Sequence, residues 1–508
     1  MLRRVSSARM LAFICLFYIG ASMAHPFTPT LFTNLGMPDY MFGLAYACMS
    51  VMGFLMGPFW GKVSDSVGKV PVMVIGCAGY AIGQLLFSVS TTIPTILLAR
   101  MFSGVFCNAT IICALAYISD NASARERSSL LAWQAALIAV FSALGYLIGG
   151  VLGDISIPMA FHVQSGVMLA DGVLIALLLK DSAGSVRLPE AVGTGKRSGG
   201  ADVSLLISTG RGNNSGAEQI LPGGADEEGL ISDRDGHKAL PLREVLRESN
   251  PFKVFAQFPA VLREVSEAEA AQERQDRNAK ETSGAESAPG NRSGNSREIS
   301  GSGSMQGEHS GNSGKSSGRL SPAARMLLFL FVTAAFAALA TTCFDSSFNY
   351  YIKAEFDFPS TYNGIIKAAV GIIGFIADAT ICMWLIRRPH PERILSLIYA
   401  GCAAVIAFAL TARVISVFLA ICILYYTLNS LYLPIQQSLV MRGATERNSG
   451  TVSGLFNSVR FVGNVTGSLS AGFLYTVGST IPFIVAAVIF AGTALAGAAA
   501  GRISGSRK

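Results

Sequence analysis

Twelve long apolar runs limit what this chain can become. They fall at about 10–32, 40–61, 70–90, 93–118, 128–152 and 160–180, and resume at about 324–346, 360–386, 393–411, 414–440, 449–475 and 480–501. A helix needs about 20 mostly apolar residues to cross the hydrocarbon core of a bilayer. In lipid, every backbone N–H and C=O must find a partner within the protein, which leaves a helix as the solution for runs of this length. The expected fold class is therefore an all-α membrane protein with 12 transmembrane helices in two six-helix halves. The charge content agrees: 14% of residues are charged, against roughly 25% in soluble proteins.

The charges are unevenly placed. Residues 181–323 carry 17 basic and 20 acidic residues out of 39 and 32 in the chain, so a net excess of +10 lies with the apolar runs. Because that excess flanks apolar segments, it points to membrane orientation and away from nucleic acid. With the N-terminus inside, the cytoplasmic ends hold Arg3, Arg4, Arg9, Lys62, Lys69, Arg125, Arg127, Lys180, Arg325, Arg387, Arg388, Arg393, Arg442, Arg447, Arg502, Arg507 and Lys508. The outer ends hold only Lys353 and Arg413. Both termini and the insert are expected in the cytoplasm. Arg3, Arg4 and Arg9, followed by an apolar run and Ser22-Met23-Ala24, imitate a signal peptide. The run continues through Pro26 and Pro29 to Phe32, long enough for a retained first helix.

Three segments follow: an N-terminal six-helix half at 1–180, a cytoplasmic and mostly disordered linker at 181–323, and a C-terminal six-helix half at 324–508. The linker is mainly Ser, Gly, Glu, Arg and Asn, too polar to bury a core. Within it, 242–264 carries apolar residues at helical spacing and fits a short amphipathic helix along the membrane face. The halves look like duplicates: Glu126-Arg127 is matched by Glu446-Arg447, and Gly145, Gly149 and Gly150 by Gly467, Ala471 and Gly472. All nine cysteines lie inside apolar runs with no CxxC pair, so neither a disulfide framework nor a metal site is indicated. No nucleotide-binding motif and no nucleophile–base constellation stands out. No enzyme activity and no cofactor are expected.

Between the second and third runs lies a charged, glycine-punctuated stretch from Gly57 to Pro71, read as a tight loop. Its Gly61, Asp65, Gly68 and Lys69 form the pattern G-x-x-x-D-x-x-G-[RK]. This resembles the loop between helices 2 and 3 of the major facilitator superfamily, nearest to its drug–proton antiporter and tetracycline-exporter-like branch. The resemblance implies the major facilitator fold and a cytoplasmic latch. In that latch Asp65 would face the start of helix 11 and Lys69 would pair with Asp120 at the end of helix 4. Ser66 and Val70 depart from the fuller pattern, where basic residues are common.

In the fourth run, Arg100, Gly104 and Asn108 share one helical face, and a charge there needs a partner or a water-filled cavity. R-x-x-x-G at this place resembles the superfamily's helix 4 motif, associated with proton coupling. Gly145-Tyr146-Leu147-Ile148-Gly149-Gly150 resembles the antiporter motif, with Tyr146 where proline is usual. In the eleventh run Ser453, Asn457, Arg460, Asn464, Gly467 and Ala471 make a polar stripe, with Arg460 near mid-membrane. In the eighth, Lys367, Gly371, Gly374 and Asp378 share a face, Lys367 and Asp378 about 16 Å apart. Asp378 is then free to pair with Arg460 or to carry a proton. His25 is a candidate pH-responsive group. Asp171 has no assignable role, and Asp345 with Asn349, Tyr350 and Tyr351 closes the outer end of the seventh helix as a candidate lining for an entrance.

The expected function is secondary active transport of a small solute by alternating access, coupled to protons, in the plasma membrane or an organelle membrane. The expected partners are a small-molecule substrate, protons and the lipid bilayer, with the chain a monomer and no nucleic acid bound. The alternatives are a nutrient or organic-anion carrier of the same fold, and a transport-inactive receptor or scaffold acting through the insert.

Overall fold

A computed structural model describes residues 2–121, 124–180, 250–285, 321–386, 388, 390–442 and 449–505. In the first half the helices are α1 (Leu2–Asn34), α2 (Met41–Val67), α3 (Lys69–Ser88), α4 (Ile93–Asn121), α5 (Ala124–Ile155) and α6 (Ile157–Leu178). The insert contributes α7 (Lys253–Ala256) and α8 (Phe258–Ala285). The second half holds α9 (Pro322–Phe356), α10 (Ser360–Ala377), a wide π-type turn (Asp378–Cys382), α11 (Met383–Ile386), α12 (Pro391–Ala409), α13 (Ile415–Arg442), α14 (Ser449–Val477) and α15 (Ile481–Gly505).

Eleven of these helices are long and apolar enough to cross a membrane. Two long helices remain: α8 of the insert, with 28 residues, and α14, which has 29 residues but carries the Ser453–Asn457–Arg460–Asn464 stripe, which lowers its apolarity. Such a helix is stable in a bilayer only with that stripe turned to protein or water.

Several boundaries differ from those expected, for physical reasons. The stretch read as a loop from Gly57 is helical through Val67, and the chain turns at a single residue, Gly68 (φ 98°). A glycine inside a helix costs only about 1 kcal/mol, and the Ser64 and Ser66 hydroxyls donate back to the carbonyls of Gly61 and Val63. A backbone with φ of this sign suits Gly and few other residues. The seventh membrane helix runs to Phe356, ten residues past its expected end at 346. It closes on Asp357 in the left-handed conformation (φ 49°), which receives a hydrogen bond from Lys353. That hydrogen bond holds the exposed Asp357 carboxyl below its ordinary pKa.

Within the insert, the described part of the helix expected at 242–264 is found as α7 and α8, running on to Ala285, while residues 242–249 lie outside the described set. The Asn250 side chain accepts from Phe252 N–H, and Pro259 sits in the first turn of α8, which sets the start. Val261, Leu262 and Val265 of α8 are buried in the core of the second half. Ser266 Oγ and Glu269 Oε2 accept from the N–H groups of Ser321 (3.3 Å) and Ala323 (3.0 Å), two of the unpaired donors at the start of α9. The rest of the insert, and Glu126-Arg127 and Glu446-Arg447 as side chains, lie outside the described set.

Three apolar clusters organise the bundle. One lies within the second half and one within the first. The third joins them, setting Phe27, Phe32, Met41, Phe42 and Phe87 against Cys343, Tyr350, Ala471 and Tyr475. It sits at the end of the bundle away from the termini, where α1, α5, α9 and α14 finish and α2 and α10 begin.

That end is a seam. Asp154 near the end of α5 accepts from the first N–H groups of α10, Ser360 (2.6 Å) and Thr361 (2.8 Å), capping that helix across the boundary. The Tyr350 hydroxyl donates to Asp39 (2.8 Å) and the Ser468 hydroxyl to the carbonyl of Gly43 (2.9 Å). Pro29 has no N–H for the His25 carbonyl four residues back, and Asn349 Nδ2 donates to that carbonyl instead (3.1 Å). The backbones approach closely. A Cβ at Gly150 would stand 2.7 Å from the Ser360 carbonyl oxygen, and one at Gly472 would stand 2.6 Å from that of Tyr40. Small residues allow this packing without any hydrophobic drive between helices.

Candidate functional site

Below the seam the halves enclose a series of cavities. The first, about 300 Å³, is lined by Tyr18, His25, Tyr46, Tyr80, Arg100 and Asn108 from the first half and by Phe461 and Asn464 from α14. The second, about 180 Å³, shares His25, Tyr46, Arg100 and Tyr146 with it and adds Asp345, Asn349 and Lys367. The third, about 320 Å³, shares Tyr146, Asp345 and Lys367 with the second and extends to Asp378 and Ser430. The shared walls make one stretch of space across the boundary, with ionisable groups from both halves.

Arg100 is 7% exposed, so it points into the bundle interior. Its guanidinium lies 4.1 Å from the centre of the Phe87 ring and 3.8 Å from Met49 Sδ, and its Nε is buried without a hydrogen-bond partner. Gly104, one turn on, lets α4 press against the backbone of α2 at Met49. Arg100, Gly104 and Asn108 all line the first cavity. The His25 ring sits between Tyr46 and Tyr146, 6.5 and 5.7 Å away. Lys367 lies 5.5 Å from the centre of the Tyr146 ring. Lys367, Gly371, Gly374 and Asp378 all face the third cavity, and Asp378 falls where α10 opens into its wide turn. Such turns recur at functional sites.

The α14 stripe divides. Asn464 lines the first cavity and accepts from the Thr342 hydroxyl (3.0 Å). Asn457 is exposed. Arg460 rests 5.7 Å from the Phe456 ring centre with its Nε buried and unpartnered. No ion pair joins Asp378 to Arg460 among the described residues. Asp378 faces the side of α13 that carries Ser430, in a cavity whose lining does not include Arg460.

Of the latch residues, Gly61 and Asp65 lie on the last turns of α2, with Asp65 exposed, and Gly68 forms the turn. Lys69 opens α3 and is buried. The Asp120 side chain and residues 443–448, where partners for Lys69 and Asp65 were expected, lie outside the described set. Asp171 is fully buried in the first half beside Cys77 (3.8 Å).

Sequence reasoning misplaced Asp345. It was read as closing the outer end of a helix, because Asn349, Tyr350, Tyr351 and Lys353 look extramembranous. Since α9 continues to Phe356, Asp345 sits about 16 Å inside that end and lines the second and third cavities. The polar residues after it serve the seam. Tyr46 and Tyr146 also went unremarked as cavity walls. Their signal was available: Tyr146 lies one turn from Gly149 and Gly150.

The comparisons agree on what this architecture is. The family model of the Major Facilitator Superfamily matches residues 10–468. Multidrug resistance protein 1 of Bacillus subtilis is 24% identical over 164 residues, 32% of this chain and 42% of that protein. The class H tetracycline resistance protein of Pasteurella multocida is 29% identical over 146 residues, 28% of this chain and 36% of that one. The chain thus matches less than half the length of these relatives. Among solved structures, the human organic anion transporter MFSD10 (TETRAN) superposes over 97% of this chain and 99% of its own, with a TM-score of 0.56 at 17% identity. A bacterial homolog of the human lysosomal transporter Spinster, inward-facing and occupied, covers 98% and 97% with a TM-score of 0.60 at 12% identity. The fold, the membrane-length helices and a family match over nearly the whole chain lead to one conclusion: this integral, multi-pass membrane protein belongs to the Major Facilitator Superfamily.

Proposed function

We propose that the chain is a secondary active transporter that moves a small solute by alternating access and couples that movement to protons. The observation that carries the reading is the stretch of cavities on the boundary between the halves, charged from both sides and lying directly below a seam. Alternating access needs a central site between two repeats that rock against each other. The seam rests on hydrogen bonds, small residues and one aromatic patch, contacts that break together in a rigid-body movement. With both termini in the cytoplasm, the arrangement is inward-facing. The relatives named for multidrug and tetracycline resistance support a small organic solute.

Asp345, Asp378 and His25 are the proton-carrying candidates, and Arg100 and Lys367 bias which of them is charged. Asn108 and Asn464 supply neutral hydrogen bonds, while Arg460 and Asn457 act from α14 outside the main cavity. Asp65 and Lys69 form the cytoplasmic latch with Asp120, closing when the seam opens.

Reconstituted vesicles with a lumenal pH dye and an imposed proton gradient test this. A panel of small organic solutes is added outside, with protein-free vesicles as control. We expect at least one solute to discharge the gradient faster than the control, and Asp345→Asn to remove that effect while solute exchange at equal pH persists. Solute exchange that never moves protons would remove the coupling from the proposal. No exchange of any panel member would remove transport itself.

A further inference from the structure

We infer that the central cavity takes an organic anion with a flat apolar body, its charge held by Arg100 and Lys367. This deepens the transport reading and rests on it.

The argument begins with an unpaired charge. A buried guanidinium costs several kcal/mol unless a counter-charge and hydrogen bonds compensate it. Among the described residues no carboxylate pairs with Arg100: its guanidinium makes one weak hydrogen bond, to Met49 Sδ (3.8 Å), and rests on the Phe87 ring, with Nε buried and unpartnered. The 300 Å³ cavity it faces has no Asp or Glu in its lining.

Lys367 adds a second cation in the adjoining space, where the one carboxylate is Asp345. No ion pair joins these two among the described residues, and Asp345 Oδ1 is itself buried without a hydrogen-bond partner. With Asp345 ionised and His25 neutral, the first two cavities carry one net positive charge, and a second when Asp345 is protonated. Asp378 does not change this balance at Arg100. It lies three turns beyond Lys367 along α10, about 16 Å away, in the third cavity only.

The shape of the charge matters as well. A guanidinium offers two parallel N–H groups that match a carboxylate, and it keeps its proton at any working pH. Around it stand Tyr18, Tyr46, Tyr80 and Tyr146. Aromatic walls of this kind favour a flat ring, and their hydroxyl groups can serve its polar edge. A lipophilic cation meets the reverse: Arg100 repels it, and no carboxylate lines the first cavity.

Purified full-length protein in nanodiscs provides the test, with binding measured calorimetrically for three matched probes: 2-naphthoate, neutral 2-naphthamide and the cation tetraphenylphosphonium. The expected result is that naphthoate binds, naphthamide binds at least tenfold more weakly, and Arg100→Gln and Lys367→Gln each weaken naphthoate at least tenfold. Should Arg100→Gln fail to fold, Lys367→Gln and the naphthoate–naphthamide ratio carry the test alone. No naphthoate binding up to millimolar concentration overturns the inference. So does equal binding of acid and amide, or phosphonium binding that tightens in Arg100→Gln. Binding is read without transport, so the two failures separate. Naphthoate that binds but is never moved by vesicles counts against transport, and gradient-driven movement of phosphonium alone counts against the anion.

Discussion

Gly149 and Gly150 are neighbours on α5, yet they serve opposite purposes. Gly149 presses on the backbone of α1 at Met23, inside the first half, while Gly150 faces Ser360 and Gly364 of α10 across the boundary. The same division recurs on α14, where Gly467 presses on Leu339 of α9 within the second half and Gly472 on Tyr40 across the seam. Under the alternating access proposed above, the first kind of contact would hold a half together in every state, and the second would part when the seam opens. Tight small-residue packing therefore does not by itself mark a permanent interface: what decides is whether the partner belongs to the same rigid unit.

The sharpest way to break the comparison is to enlarge both glycines in turn. In Gly149→Leu even the Cβ would overlap the Met23 carbonyl, where backbone cannot yield cheaply. We expect a loss of about 3 kcal/mol or more, read as failure to elute as a single species or as a large fall in unfolding temperature. Gly150→Leu should leave each half folded and push the halves apart instead. A bias of about 1.4 kcal/mol shifts two states tenfold, which spin-label distances between exposed Asn34 and Thr476 would register as a longer separation. Equal unfolding temperatures for the two variants would sink the distinction.

A smaller effect is expected for Asp154→Asn. Its carboxylate accepts from two N–H groups across the seam, and an amide keeps a weaker version of one of these bonds. The side chain is exposed, so about 1 kcal/mol is expected, in the same direction as Gly150→Leu and with the unfolding temperature unchanged. A distance distribution identical to the parent would mean that the capping contact is incidental. Smallest is Asp65→Asn at the opposite end, where an exposed charge contributes about 0–1 kcal/mol. It should favour the inward-facing state without affecting folding, and cysteine labelling from each side checks it. An unchanged pattern would count against the latch.

Much of the site could be read before any fold was known, wherever the reasoning stayed within one helix. The face shared by Arg100, Gly104 and Asn108 and that shared by Lys367, Gly371, Gly374 and Asp378 follow from 3.6 residues per turn, and both line cavities. Reasoning between helices fared differently. Asp378 and Arg460 were offered as partners because both are charged and near mid-membrane, but partners depend on the register and rotation of separate helices. Asp345 was misplaced because polarity was taken as the mark of a helix end. In a membrane transporter, polar residues within the span also mark a seam between moving parts.

The sequence by itself determined the all-helical membrane fold and the family, because lipid forces each apolar run into a helix and the pattern from Gly61 to Lys69 is specific. Only the tertiary structure decided which of two adjacent glycines faces the boundary between the halves, that α9 carries Asp345 into the interior, and that the first of the two cavities Arg100 lines has no carboxylate in its walls. These are relations between segments far apart in the chain. Hydrophobic periodicity orients each helix toward an interior, but the packing of backbone against backbone selects which neighbour it meets there.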